Sequence, residues 1–136
     1  MIIAITGASG VIYGIQMLRA MQKTSYETHL IISEPGSRNI EIETGLSPDE
    51  IKRMADYTYL NSDVGAALAS GSFITEGMTV IPCTIKTLSG IANCYTDNLI
   101  VRAADVTLKE KRKLVLVVRE TPLHQGHLRL MTMAAE

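Results

Sequence analysis

Short apolar runs alternate with stretches in which apolar residues recur every three or four positions, which predicts strands and helices in turn. Residues 1–6 (MIIAIT) form a continuous apolar run, as a strand covered on both faces would. Gly7-Ala8-Ser9-Gly10 interrupts it, and Val11, Ile15, Leu18 and Met21 then fall at helical spacing. A second strand is predicted at 27–32 and a helix over 36–44. Another helix is predicted from Ser47-Pro48-Asp49-Glu50 to about Tyr57, with serine at the N-cap and proline at the first helical position. Residues 58–77 show no clear period and carry a loop signal at Ser70-Gly71-Ser72-Phe73. The next strand is predicted at 78–82, followed by helices over 84–94 and 97–109. Leu114 to Val118 (LVLVV) reads as the most central strand, residues 119–123 as its exit loop, and the remainder as a helix rich in Leu and Met.

This order predicts an α/β domain, a Rossmann/flavodoxin-like doubly wound parallel sheet in three α/β/α layers with right-handed crossovers. Residues 1–136 are read as a single domain. The pattern stops in a helix with no closing strand, as if a C-terminal segment were lacking. Composition narrows the function. With 46% hydrophobic and 20% charged residues the chain is no disordered tail, and a net charge of −1 with dispersed Lys and Arg argues against a dedicated nucleic-acid binder. The N-terminal run has no basic start or cleavage pattern, and no apolar run approaches the roughly 18 residues of a membrane span. Cys83 and Cys94 form no CxxC motif, so reduced structural thiols, a cytoplasmic location and no metal site are expected.

In such a sheet the ligand crevice lies outside the carboxyl ends of the strands, where the loops 6–10, 33–36, 82–87 and 119–123 are expected to meet. The turn Gly7-Ala8-Ser9-Gly10 reads in two ways. It is either an anion cradle formed with the N–H groups of the following helix, or a tight turn with Ser9 as N-cap. The glycines at 7, 10 and 14 do not make the full dinucleotide fingerprint. Thr84-Ile85-Lys86-Thr87 offers hydroxyls, N–H groups and an ammonium, or else a simple cap with Lys86 in solvent. The two loops at one sheet end together favour a phosphate site. Arg119-Glu120 reads as a cofactor contact with a proton-transfer group, or as a surface pair with Pro122 starting a helix. His124 and His127 lack a companion carboxylate or thiolate for metal binding, and His29 inside a strand reads as structural.

Read together, the blocks TGASGVIYG (6–14), the Ser33 loop, ASGSF (69–73), PCTIKTLSGIA (82–92), the stretch 97–123 and HLRLM (127–131) resemble flavin prenyltransferases of the UbiX/Pad1 type. These belong to the homo-oligomeric flavin-containing decarboxylase-like proteins. The resemblance implies transfer of a dimethylallyl group from dimethylallyl monophosphate to reduced FMN, at N5 and then C6, closing a fourth ring. It implies a homo-oligomer, a dodecamer in the family, and a UbiD-type decarboxylase as user of the prenylated FMN. Older usage for such proteins is aromatic acid decarboxylase. Position by position, it assigns FMN binding to Gly7, Ala8, Ser9, Ser33, Thr84, Ile85, Lys86, Thr87 and Arg119. It places Glu43 near the prenyl phosphate, Glu120 in proton transfer, Arg102 and Lys109 as basic groups around the substrate, and Ser9 among the catalytic residues. Glu34 stands where the family usually has lysine. The family also continues past residue 136 by about fifty residues, room for a further strand and its connections.

Three rivals stand beside this reading. An NAD-dependent oxidoreductase would use Glu34 as its ribose carboxylate, but the third glycine is misplaced and no Tyr-x-x-x-Lys pattern follows. An FMN-dependent aromatic acid or cysteine decarboxylase would share the fold, and the blocks at 82–92 and 97–123 argue against the cysteine type. A non-catalytic FMN-binding subunit would bind flavin without turnover.

Overall fold

A computed structural model describes all of residues 1–136. Five strands form one parallel sheet: β1 (Ile2–Ile5), β2 (His29–Ile32), β3 (Tyr57–Leu60), β4 (Met78–Cys83) and β5 (Leu114–Val118). The helices are α1 (Val11–Met21), α2 (Glu34–Thr44), α3 (Pro48–Lys52), α4 (Ile85–Ala92), α5 (Leu99–Lys109) and α6 (Gln125–Ala135). None is long and apolar enough to cross a membrane.

Strand order is β3-β2-β1-β4-β5. The chain winds outward from β1 through β2 to β3, then returns across the sheet to place β4 on the other side of β1. The switch point therefore lies between β1 and β4, where a doubly wound sheet opens its ligand crevice. Alternate residues of β1 enter different cores, because successive side chains of a strand point to opposite faces. Ile3 and Ile5 pack with Val11, Ile15, Leu18, Ile40 and Ile51 from α1, α2 and α3. Ile2 and Ala4 pack with Leu88, Leu99, Ile100 and Ala103 from α4 and α5, and Leu130 and Met131 of α6 lie against that same cluster. These are the three predicted layers.

Two expectations fail. The irregular stretch after residue 57 begins with a strand, β3, while the helix expected to reach Tyr57 stops at Lys52. Its cap is as expected: Ser47 Oγ accepts the Glu50 N–H, and Glu50 Oε2 accepts the Ser47 N–H at 2.7 Å. The other failure concerns β5, an edge strand here and not a central one. Leu114, Leu116 and Val118 face the core, but Val115 and Val117 remain 42% and 39% exposed.

Candidate functional site

The carboxyl ends of β1, β2 and β4 surround a cavity of about 590 Å³, within the usual range for small-molecule sites. Its wall includes Thr6 and Gly7 after β1, Ser33 after β2, and Thr84, Lys86 and Thr87 after β4. Asn61 and Asn98 close the far side, where a second cavity of about 640 Å³ continues toward Lys52 and Tyr59.

The first two loops are locked together. A Cβ at Gly7 would fall 2.3 Å from Pro35 Cβ, so only glycine permits this approach. Asn39 Nδ2 donates to the Gly7 carbonyl at 2.8 Å. Gly10 adopts φ +95° and is the N-cap of α1, so Ser9 is not the cap; it is exposed and makes no side-chain hydrogen bond. Glu43 serves that helix end instead, its Oε2 accepting the N–H groups of Gly10 and Val11 at 3.0 and 3.1 Å. A carboxylate at a helix N-terminus satisfies orphan donors and the positive end of the dipole. Ala8 is buried behind this turn.

The third loop is left open. Thr84 Oγ1 accepts the Thr87 N–H at 3.1 Å and donates to Thr87 Oγ1 at 3.0 Å, which leaves the Thr87 hydroxyl proton available to a ligand. The N–H groups of Ile85 and Lys86, first in α4, have no acceptor in the chain. Ser33 Oγ accepts the Gly36 N–H at 3.1 Å, and its own proton is likewise free to donate. This donor set, with the exposed Lys86 ammonium beside it, fits a phosphate monoester. Cys83 lies directly beneath, and burial pushes its thiol up to about 12, so it is a neutral packing group and not a nucleophile.

The remaining candidates stand apart. Arg119 and Glu120 follow β5 at the same sheet end, with the Arg119 N–H on the Cys83 carbonyl at 3.0 Å, but neither lines the cavity. They form no ion pair. Glu120 Oε1 accepts the Thr121 N–H, and α6 begins at Gln125, capped by His124, after the expected exit loop 119–123 and not at Pro122 as in the alternative reading. Arg102 is held on α5 by Asp105 at 2.9 Å and the Ala69 carbonyl at 3.2 Å. Lys109 ends α5, about 15 Å along the helix from Leu99 at 1.5 Å per residue, and pairs with Glu110. No group of three or more His, Cys, Asp and Glu side chains is placed to hold a metal.

Residues 1–133 match the family model described as Flavoprotein. The chain is 54% identical over 137 residues to the flavin prenyltransferase UbiX of Escherichia coli (strain K12), covering 100% of this chain and 72% of that one. It superposes at TM-score 0.97 on the dodecameric FMN-dependent UbiX-like decarboxylase from Escherichia coli O157:H7, with 46% identity, covering 98% of this chain and 74% of that one. The TM-score is also 0.97 for AnUbiX (PadA1) in complex with FMN and dimethylallyl pyrophosphate, at 45% identity over 98% of this chain and 71% of that one. A doubly wound sheet with free N–H and hydroxyl donors at its switch point is suited to a mononucleotide, and the family match makes the chain a flavoprotein. Within that class the chain belongs to the flavin prenyltransferases of the UbiX/Pad1 type.

Proposed function

We propose that this chain transfers a dimethylallyl group from dimethylallyl monophosphate to reduced FMN, with the FMN phosphate seated at the N-terminus of α4. The observation that carries this reading is the difference between the two loops at the switch point. The α1 terminus is already filled by Glu43, whereas the α4 terminus has free N–H groups on Ile85 and Lys86 and a free hydroxyl on Thr87. Ser33 donates to the same ligand from β2, and Gly7, Ala8 and Ser9 form the floor against which the flavin lies. Reduced FMN supplies the nucleophilic atom.

The chain's part is placement and charge stabilisation. Holding the allyl carbon against the flavin makes the encounter effectively unimolecular, and cationic groups stabilise the departing phosphate. Lys109 and Arg102 are proposed for that second task, Arg119 for contact with the flavin and Glu120 for proton transfer. Lys109 and the cavity lie at opposite ends of α5 in one copy, which supports a site completed by a second copy of the chain. A homo-oligomer follows from that reading, and a dodecamer is proposed by likeness to the solved Escherichia coli O157:H7 relative. The product's proposed user is a UbiD-type decarboxylase, and the proposed location is the cytoplasm.

Phosphate release tests the reaction. Under anaerobic conditions, with FMN, a reductant and dimethylallyl monophosphate, one inorganic phosphate per FMN consumed is expected. Release no greater than in a flavin-free control would overturn the reading.

A further inference from the structure

Thr6 is the first residue after β1, and its side chain is only 1% exposed. A hydroxyl buried this deeply is costly unless both its donor and acceptor capacities are used. Both are. Thr6 Oγ1 donates to the Pro82 carbonyl at 2.7 Å and accepts the Thr84 N–H at 3.0 Å.

These partners lie where the regular sheet gives out. The β1–β4 register runs from Ile2↔Met78 to Ala4↔Val80, and an irregularity in β4 follows between Val80 and Cys83. Past that point the Thr6 backbone N–H also reaches the Pro82 carbonyl, at 3.3 Å. The Thr6 hydroxyl then bridges to Thr84 as a ladder bond would. Thr84 is the residue whose own hydroxyl caps α4 and orients Thr87.

We infer that Thr6 is a positioning residue for phosphate recognition: its hydroxyl fixes the α4 N-terminus against the Gly7 turn, so that the free N–H groups converge on one point. Thr6 lines the cavity wall, but its hydroxyl is spent on these two bonds and has no proton left for a ligand. The inference rests on the proposed seating of the FMN phosphate at α4, and its test separates the two.

The measurement is the ratio of FMN to riboflavin affinity, by flavin fluorescence, in wild type, Thr6→Val and Thr6→Ser. Riboflavin lacks the phosphate, so a defect confined to the cradle lowers the ratio, whereas general loosening of the domain weakens both ligands alike. Wild type is expected to prefer FMN strongly. Thr6→Val, which keeps the shape and loses both bonds, is expected to cut that preference by about tenfold or more. Thr6→Ser, which keeps the hydroxyl, is expected to restore it to within about threefold.

A wild-type preference retained in Thr6→Val, or equal loss for both flavins, overturns the role of Thr6 and leaves the phosphate site standing. No wild-type preference for FMN overturns the phosphate site itself. Should Thr6→Val not fold, Thr6→Ala, which also loses both bonds, decides by the same ratio: a fall in the FMN preference supports the inference, and a retained preference or equal loss for both flavins overturns it.

Discussion

Glu43, near the end of α2, closes the N-terminus of α1 by accepting the N–H of Gly10 at 3.0 Å. The same oxygen takes the next N–H, on Val11. A helix end occupied by a protein carboxylate is a poor seat for a phosphate, which is the ground for the proposed seating of the flavin phosphate at α4. Glu43→Gln keeps an acceptor and removes the charge. It is expected to cost about 0.3–1 kcal/mol of stability in a urea titration. FMN affinity should stay within about threefold, because the carboxylate does not hold the flavin phosphate.

Thr84→Ala should behave in the opposite way. It removes the cap of α4, worth about 0.5–2 kcal/mol, and also the hydroxyl that orients Thr87. FMN affinity, measured by calorimetry, is expected to fall by about tenfold or more, and riboflavin affinity much less.

Lys109 offers a separation of stability from turnover. Its pairing with Glu110 is exposed and worth about 0–1 kcal/mol, so Lys109→Ala should fold and bind FMN normally. Prenyl transfer should drop by about a hundredfold, as expected when a cation is removed from a developing phosphate charge. Mixed oligomers of Lys109→Ala and Glu120→Ala chains should regain part of the activity if Glu120, at the cavity's own sheet end, and Lys109, at the far end of α5, serve one site from different copies.

The sheet end opposite the site carries a pH dependence. His29 is buried, its Nδ1 on the Tyr59 hydroxyl at 3.1 Å, its Nε2 3.1 Å from Glu27, and its ring stacked on Tyr57. Burial, then the nearby N-terminal charge, hold its pKa below the ordinary value, although Glu27 opposes them. The unfolded chain therefore binds the proton more readily than the folded one. The stabilisation is complete above about pH 6.5 and is lost as pH falls through the folded pKa. Urea midpoints should decline as pH falls below the ordinary histidine pKa, and less so in a His29→Gln variant.

The two cysteines should differ sharply. The Cys83 thiol, pushed up to about 12 by burial, should resist iodoacetamide in the native protein at neutral pH, while the exposed Cys94 is modified. Mass spectrometry should find one adduct per native chain and two after denaturation.

The sequence disclosed those features whose causes are local. The buried strands β1, β2 and β4 are runs of apolar residues, and the glycine turn and Thr84 loop sit directly at strand ends. Tyr57 to Leu60 was hidden because an edge strand is half solvated: its YTYL pattern carries no long apolar run and follows a good helix start at Ser47. β5 misled for the converse reason, since LVLVV is apolar on both faces while only one is covered by these residues. Site residues with tertiary roles left no local trace. Thr6 acts on Thr84 across 78 positions and Asn39 on Gly7 across 32. Asn61 caps α5 by accepting the Ile100 N–H from 39 positions away. Each is an ordinary polar residue in its own neighbourhood.

The most direct test is the mass of the flavin recovered after anaerobic incubation of the chain with reduced FMN and dimethylallyl monophosphate. A gain of one C5 unit, abolished in Glu120→Ala, is the predicted result. FMN recovered at its original mass, from protein that binds it, would contradict prenyl transfer by this chain.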